Sequence, residues 1–96
     1  MSTHVDKVAV LTNPAAGRSR HQRLLPHVLE RLRAGGRGVT LLRARDAAES
    51  EQASREAVAD GVGALVVVGG DGTLHAALQA VADTKVALGV LPCGTG

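Results

Sequence analysis

The chain has 96 residues, the size of one small domain with a single hydrophobic core. Apolar residues make up 45% of it, yet Phe, Tyr and Trp are absent. Without aromatic rings there is no stacking platform for single-stranded nucleic acid, and no ring for an adenine base to lie against. No nucleic-acid partner is therefore expected, and any nucleotide would have to be bound mostly through the backbone.

The formal net charge of +2 hides an asymmetry along the chain. Residues 18–45 contain eight arginines and one glutamate, whereas residues 46–83 contain one arginine and seven acids. A basic block of this kind attracts anions or a negatively charged membrane face, and its simpler interpretation is a solvated, Arg-rich helix.

The sequence also predicts the compartment. Cys93 is the only cysteine and has no partner for an internal disulfide, which suits a reducing environment. The N-terminal residues lack the apolar core of a signal peptide, and no run approaches the roughly 20 apolar residues of a membrane span. We expect a cytoplasmic protein, with peripheral contact at the inner membrane face as the only membrane association.

Two patterns alternate in chain order. Short apolar runs bounded by turn residues predict buried parallel strands, and longer stretches with helical spacing lie between them. The predicted strands are 7–12, 38–44, 63–70 and 85–92, and the predicted helices are 20–34, 47–60 and 72–82. Glycines at 35, 36 and 61 should end the first two helices, while Pro26 is tolerable only in a first turn or at a kink.

This alternation predicts a three-layer α/β/α fold with a parallel sheet and right-handed crossovers. The expected strand order is 2-1-3-4. In that order the helices leaving strands 1 and 3 lie on opposite faces, which opens a crevice at the carboxyl ends of those strands. Ligands should bind in this crevice.

Glycine-containing loops follow the strands that border the predicted crevice. Strand 1 runs into "TNPAAG", with Asn13, Pro14 and Gly17. Strand 3 runs into "GGDGT", residues 69–73, and strand 4 runs into "PCGTG", with Gly94 and Thr95. Glycine lets the backbone approach an anion closely, and the first N–H groups of the next helix then point at it. We predict a phosphate site here.

Within "GGDGT", glycines 69, 70 and 72 would form the cradle, and Thr73 would donate a hydroxyl hydrogen bond to a phosphate oxygen. Asp71 requires a separate argument, because a carboxylate beside a triphosphate is repelled unless a cation lies between them. Mg²⁺ is usually held by one or two carboxylates together with phosphate oxygens and water, so Asp71 is the candidate magnesium ligand, direct or through water. The alternative is that Asp71 only N-caps the third helix.

The motifs "NPAAG", "VVVGGDGTLH" and "LGVLPCGTG" resemble those of the diacylglycerol kinase catalytic domain family, which includes bacterial diacylglycerol kinases and sphingosine kinases. The resemblance covers about residues 7–96 and implies the first part of an ATP-binding domain. Asn13, residues 70–73 and Thr95 would then line the ATP site. The reaction it implies is transfer of the ATP γ-phosphoryl group to a lipid hydroxyl, with Mg²⁺ neutralising charge, as a step of lipid metabolism and phospholipid biosynthesis.

The chain departs from the family pattern at two helix positions and at its end. Ala76 and Gln79 stand where relatives commonly have Glu and Asn, and a Glu at 76 would complete a capping box from Thr73. The family's third motif continues with Asn-Asp and a lipid-binding domain, which this chain does not include. We therefore expect an ATP-dependent kinase only in a longer parent protein, no identifiable base here, and an exposed apolar edge at strand 4.

Three alternatives stay open. An NAD kinase shares the Gly-Gly-Asp-Gly loop, although "LPCGTG" is closer to the lipid kinases. A phosphofructokinase uses a similar loop, but "NPAAG" at the end of strand 1 speaks against it. The third alternative is a non-catalytic fragment that binds nucleotide or forms homo-oligomers.

Overall fold

A computed structural model describes residues 7–13 and 19–92. These residues form four strands and three helices in strict alternation. In chain order they are β1 (Lys7–Thr12), α1 (Ser19–Ala34), β2 (Gly38–Arg43), α2 (Ala47–Ala59), β3 (Ala64–Gly69), α3 (Asp71–Val81) and β4 (Ala87–Pro92). The predicted elements are all present, with ends that differ from the predicted ones by at most two residues.

The four strands form one parallel sheet in the order β2-β1-β3-β4. β1 and β3 are the central strands, and Val10 of β1 pairs with Leu41 of β2 on one side and with Val66 of β3 on the other. The predicted fold class and strand order are confirmed.

The helices cover the two faces of the sheet as separate layers. On one face, Val8, Val10 and Val68 are buried beneath leucines of α1. On the other face, Ala9 and Leu11 pack with Ala57 of α2 and Ala77 of α3. β1 is buried from Val8 to Thr12 because both of its faces are covered, which explains why its sequence is continuously apolar rather than alternating.

Two glycines end the first two helices, as predicted. Gly36 and Gly61 have φ angles of +81° and +93°, a conformation that side chains with a Cβ rarely adopt. Pro26 is the eighth residue of α1 and lies beyond the first turn, which leaves the predicted kink as the way to accommodate it. Its ring is exposed to solvent, and the apolar face of α1 contributes Leu25, Leu29 and Leu32 to the core on either side of it. Tertiary packing thus outweighs the local preference.

β4 is an edge strand with incomplete cover. Val90 is 43% exposed, and Leu78 on α3 is 45% exposed. The predicted exposed apolar edge at strand 4 is confirmed. None of the helices in the described ranges is both long and apolar enough to cross a bilayer.

Candidate functional site at the carboxyl edge of the sheet

The strand register places the carboxyl ends of β1, β3 and β4 side by side. Thr12 at the end of β1 pairs with Val68, and Gly69 at the end of β3 pairs with Pro92 at the end of β4. Asn13 follows β1 directly and is partly buried. Asn13 and the Gly69–Thr73 loop therefore leave the sheet at adjacent positions on the same edge, as the strand order predicts.

The other four predicted site residues cannot be placed in the same way. Pro14 and Gly17 follow Asn13, and Gly94 and Thr95 follow Pro92, and all four lie outside the described residues. Their assignment to the site remains a prediction from the sequence.

α3 begins at the end of β3 without a side-chain cap. Gly70 is its N-cap residue, with extended backbone angles and no side-chain hydrogen bond, and Asp71 is the first helical residue. The first N–H group with an intrahelical acceptor is that of Leu74, which donates to the carbonyl of Gly70 at 3.0 Å. In the described part of the chain, the N–H groups of Asp71, Gly72 and Thr73 have no acceptor. These donors and the positive end of the helix dipole lie at the carboxyl edge of the sheet, a position that favours an anion.

α2 also begins at this edge, and a side chain caps its start. Asp46 is the N-cap residue, and its Oδ1 accepts a hydrogen bond of 2.8 Å from the N–H of Glu49. The Glu49 carboxylate in turn accepts from the N–H of Arg45 at 2.8 Å. Its pKa is lowered by the hydrogen bond from the Arg45 side chain and then by the one from the Arg45 backbone. At the start of α2 a carboxylate accepts a backbone hydrogen bond, whereas α3 has Asp71 in its first turn but no side-chain hydrogen bond at its cap.

Glycines 70 and 72 have no conformational or steric reason to be glycine in the described structure. A Cβ at either position would meet nothing within 4 Å, and neither residue has a positive φ. Gly69 differs, since a Cβ there would lie 3.4 Å from Oγ1 of Thr73 and 3.5 Å from its Cβ. The open space at 70 and 72 lies at the helix start, beside the N–H groups that have no acceptor among the described residues.

The start of α3 excludes the alternative in which Asp71 is the N-cap, and it excludes a capping box from Thr73 to residue 76. Asp71 does not cap the helix, because Gly70 occupies the N-cap position and the Asp71 side chain accepts no hydrogen bond from any described residue. Thr73 is the third helical residue rather than a cap, so residue 76 is not a capping-box position. Ala76 is only 3% exposed on the buried face of α3. A Glu in its place would have to lose its hydration in this packing.

Thr73 is only 5% exposed, and its side chain lies over Gly69. The hydroxyl therefore lies at the junction of β3 and α3, beside Gly69.

Asp71 is the one carboxylate in the loop and is exposed. No group of three His, Cys, Asp or Glu side chains that could hold a metal occurs within the described ranges. A single free carboxylate beside a phosphate site fits Mg²⁺, which takes one or two carboxylates and completes its shell with phosphate oxygens and water. Asp71 would thus hold Mg²⁺ only together with a bound phosphate.

The fold and the edge geometry define a class of protein: a parallel α/β domain with an uncapped helix N-terminus at the topological switch point, the arrangement used for phosphate-containing ligands. The family model of the diacylglycerol kinase catalytic domain matches residues 7–96. The chain belongs to this family.

Individual relatives agree with the family assignment. The chain is 37% identical over 92 residues to a diacylglycerol kinase of Mycobacterium tuberculosis (strain CDC 1551 / Oshkosh), covering 96% of this chain and 30% of the relative. It is 29% identical over 91 residues to a diacylglycerol kinase of Staphylococcus carnosus (strain TM300), with 93% and 30% covered. The chain thus spans about 30% of the length of these curated relatives.

The fold is also similar to a solved structure. A crystal structure of a diacylglycerol kinase from Bacillus anthracis str. Sterne matches with a TM-score of 0.76 and 26% sequence identity. The match covers 94% of this chain and 34% of that one. The similarity in structure therefore extends over nearly the same residues as the similarity in sequence.

Proposed function

We propose that the chain is the first part of the ATP-binding domain of a lipid kinase. The start of α3 would bind the ATP phosphates, with Asn13, Pro14 and Gly17 on one side and Gly94 and Thr95 on the other. The acceptor would be the hydroxyl of diacylglycerol or a similar lipid. The family assignment supports the reaction class, and ATP and the lipid would be the partners.

In the proposed reaction, the acceptor hydroxyl oxygen forms a bond to the γ-phosphorus as the bond to the β,γ-bridging oxygen breaks. ADP leaves, and the hydroxyl proton passes to a base outside the residues that we assign. Phosphoryl transfer depends mostly on positioning and charge stabilisation. The N–H groups of residues 71–73 would hold phosphate oxygens, Asp71 would orient the magnesium ion, and that ion would supply charge neutralisation between the phosphates.

One observation carries this proposal: open space at Gly70 and Gly72 beside three N–H groups without an acceptor in the described chain. Folding does not require either glycine. Alanine would in fact be favoured over Gly72 within a helix by about 1 kcal/mol. A ligand that approaches the backbone closely accounts for both the glycines and the missing cap.

The Gly72→Leu variant tests the proposal by NMR titration with Mg-ATP. In the unchanged chain we expect the amide resonances of residues 70–73 to shift, even when binding is weak. Gly72→Leu should abolish these shifts and leave the spectrum of the sheet intact, because its Cβ enters open space. Gly89→Ala is the matched control, since its Cβ makes only ordinary contact, at 3.7 Å from Val66, and lies in the middle of β4.

Unchanged ATP shifts in Gly72→Leu would contradict the phosphate assignment. The 96 residues alone should not phosphorylate a lipid, because the acceptor pocket is expected in the remainder of a longer kinase. Assay of the complete kinase with diacylglycerol and with NAD as acceptors would separate the lipid kinase from an NAD kinase-like phosphotransferase.

A further inference from the structure

α3 carries an exposed carboxylate and an exposed imidazole on the same side of its first two turns. Asp71 is the first helical residue, and His75 follows it four positions later. Both are exposed, whereas the opposite side of the helix, with Thr73, Ala76 and Ala77, is buried. Residues four apart on an α-helix are neighbours on its surface, with Cβ atoms about 5–6 Å apart. We call these two residues the Asp71–His75 pair.

The direction of helical side chains brings the imidazole toward the start of α3. The Cα–Cβ bonds of an α-helix tilt toward its N-terminus, so a side chain covers the turn that precedes its own Cα. The His75 side chain is therefore directed toward the turn that contains Asp71. The same turn provides the N–H groups of residues 71–73, which have no acceptor among the described residues.

Neither member of the pair is engaged within the described chain. No hydrogen bond or ion pair joins the side chain of Asp71 or His75 to a described residue. The acids of α2 differ, because Glu49 is paired with Arg45 across the same four-residue spacing. A carboxylate and a neutral imidazole each offer a lone pair to a cation. The Asp71–His75 pair thus combines one oxygen and one nitrogen ligand.

We propose that His75 is a second protein ligand, beside Asp71, for the divalent cation of the phosphate site, and that it gives this site a preference for transition metals over Mg²⁺. The inference rests on the proposed function only for the remaining ligands, which would be phosphate oxygens and water. Magnesium prefers oxygen ligands, whereas an imidazole nitrogen favours cations such as Co²⁺, Ni²⁺ and Zn²⁺. Magnesium would therefore use Asp71, and a transition metal would use both side chains.

Cobalt titration of the 96-residue chain without nucleotide tests this proposal, because the pair is then observed apart from any phosphate. Co²⁺ is paramagnetic, so the NMR resonances of groups near the bound ion shift or broaden. We expect selective effects on the His75 ring and on the amides of residues 70–76, and much smaller effects from Mg²⁺ at the same concentration. Asp71→Asn and His75→Gln should each weaken cobalt binding about tenfold or more, because one protein ligand is lost.

His27→Gln is the matched control for the cobalt titration. His27 is also exposed on a helix, but the residues four positions away on either side are Arg23 and Arg31 rather than acids. This variant should keep the cobalt effects at residues 70–76. Effects that persist in His75→Gln would overturn the proposal, and so would an equal loss in His27→Gln.

A second measurement addresses the metal preference with the nucleotide present. Co²⁺ with ATP should raise the melting temperature more than Mg²⁺ with ATP at equal concentrations, and His75→Gln should remove this difference. The same difference in His75→Gln as in the unchanged chain would contradict the assignment of His75. Because the cobalt titration contains no nucleotide, failure of the ATP site would leave its result unchanged, and the two proposals can fail separately.

Discussion

At the scale of single residues, glycines with the same sequence appearance have different physical roles. Gly36 and Gly61 adopt positive φ angles at helix ends, so their backbone conformation requires glycine. Gly70 and Gly72 have ordinary angles and open surroundings. Only the second pair needs an explanation outside folding, and this difference separates candidate ligand contacts from ordinary turn chemistry.

Ser50 offers a prediction at the residue scale. Its hydroxyl is fully buried on α2 and has no hydrogen-bond partner, whereas the Ser54 hydroxyl donates to the carbonyl of Ser50 at 2.7 Å. Ser50→Ala should raise the free energy of unfolding by about 1 kcal/mol, because it removes an unsatisfied buried group and favours the helix. Urea unfolding would measure the change.

Ser54→Ala is the control for this prediction, since the Ser54 hydroxyl already has a hydrogen-bond acceptor. The same replacement there should raise the free energy of unfolding less. A loss of stability in Ser50→Ala would show instead that the hydroxyl binds a partner such as an internal water molecule.

At the scale of elements, α2 and α3 begin at the same sheet edge in opposite ways. In α2 the Asp46 side chain accepts from the N–H of Glu49, and Arg45 holds the Glu49 carboxylate. In α3 the N-cap residue is Gly70, which makes no side-chain hydrogen bond, and Asp71 is the first helical residue. Because a helix start favours negative charge, the open N–H groups of α3 support the proposed phosphate site.

The start of α2 should make stability depend on pH. Since the pKa of Glu49 is lower in the folded chain than in the unfolded chain, its contribution is complete above the unfolded value of about 4.3 and disappears as the pH falls through the folded value. The free energy of unfolding should be measured between pH 7 and pH 3 for the unchanged chain and for Glu49→Gln. The unchanged chain should be more stable at pH 7, and this difference should shrink as the pH falls.

Arg45→Gln serves as the control for the pH experiment. It removes the side-chain hydrogen bonds that lower the pKa of Glu49 but keeps the carboxylate. Its stability should therefore vary less with pH than that of the unchanged chain. An identical pH profile in all three chains would contradict the proposed role of this pair.

At the scale of the whole molecule, the parallel sheet determines which loops meet. β1 and β3 are neighbours although α1, β2 and α2 separate them in sequence, and their helices leave to opposite faces. The crevice expected between those two exits follows from the strand order, and no short sequence motif predicts it alone.

Binding of Mg-ATP should raise the melting temperature of the folded chain. Mg-ATP at ten times its dissociation constant should stabilise the folded chain by about 1.4 kcal/mol, which thermal unfolding would show as a higher melting temperature. Chelation with EDTA should reduce the shift, because phosphates near Asp71 then lose their cation. An identical shift with EDTA would exclude Asp71 as a magnesium ligand, and Gly72→Leu should show no shift at all.

The type and order of the elements follow from the sequence, because strand and helix periodicities are local and glycines mark their ends. The strand order was also predictable, since right-handed crossovers leave few arrangements, and the glycines indicated the loop at residues 69–73. The exact start of α3 depends on backbone geometry, so the sequence left the N-cap role of Asp71 open and gave the wrong position for a capping box.

The burial of side chains at the start of α3 could be read only from the packed fold. Thr73 and Ala76 are buried there, and three N–H groups of α3 have no acceptor among the described residues. These properties depend on how α2, α3 and the sheet pack together. Burial and hydrogen bonding arise from neighbours distant in sequence, and the local pattern of residues does not contain that information.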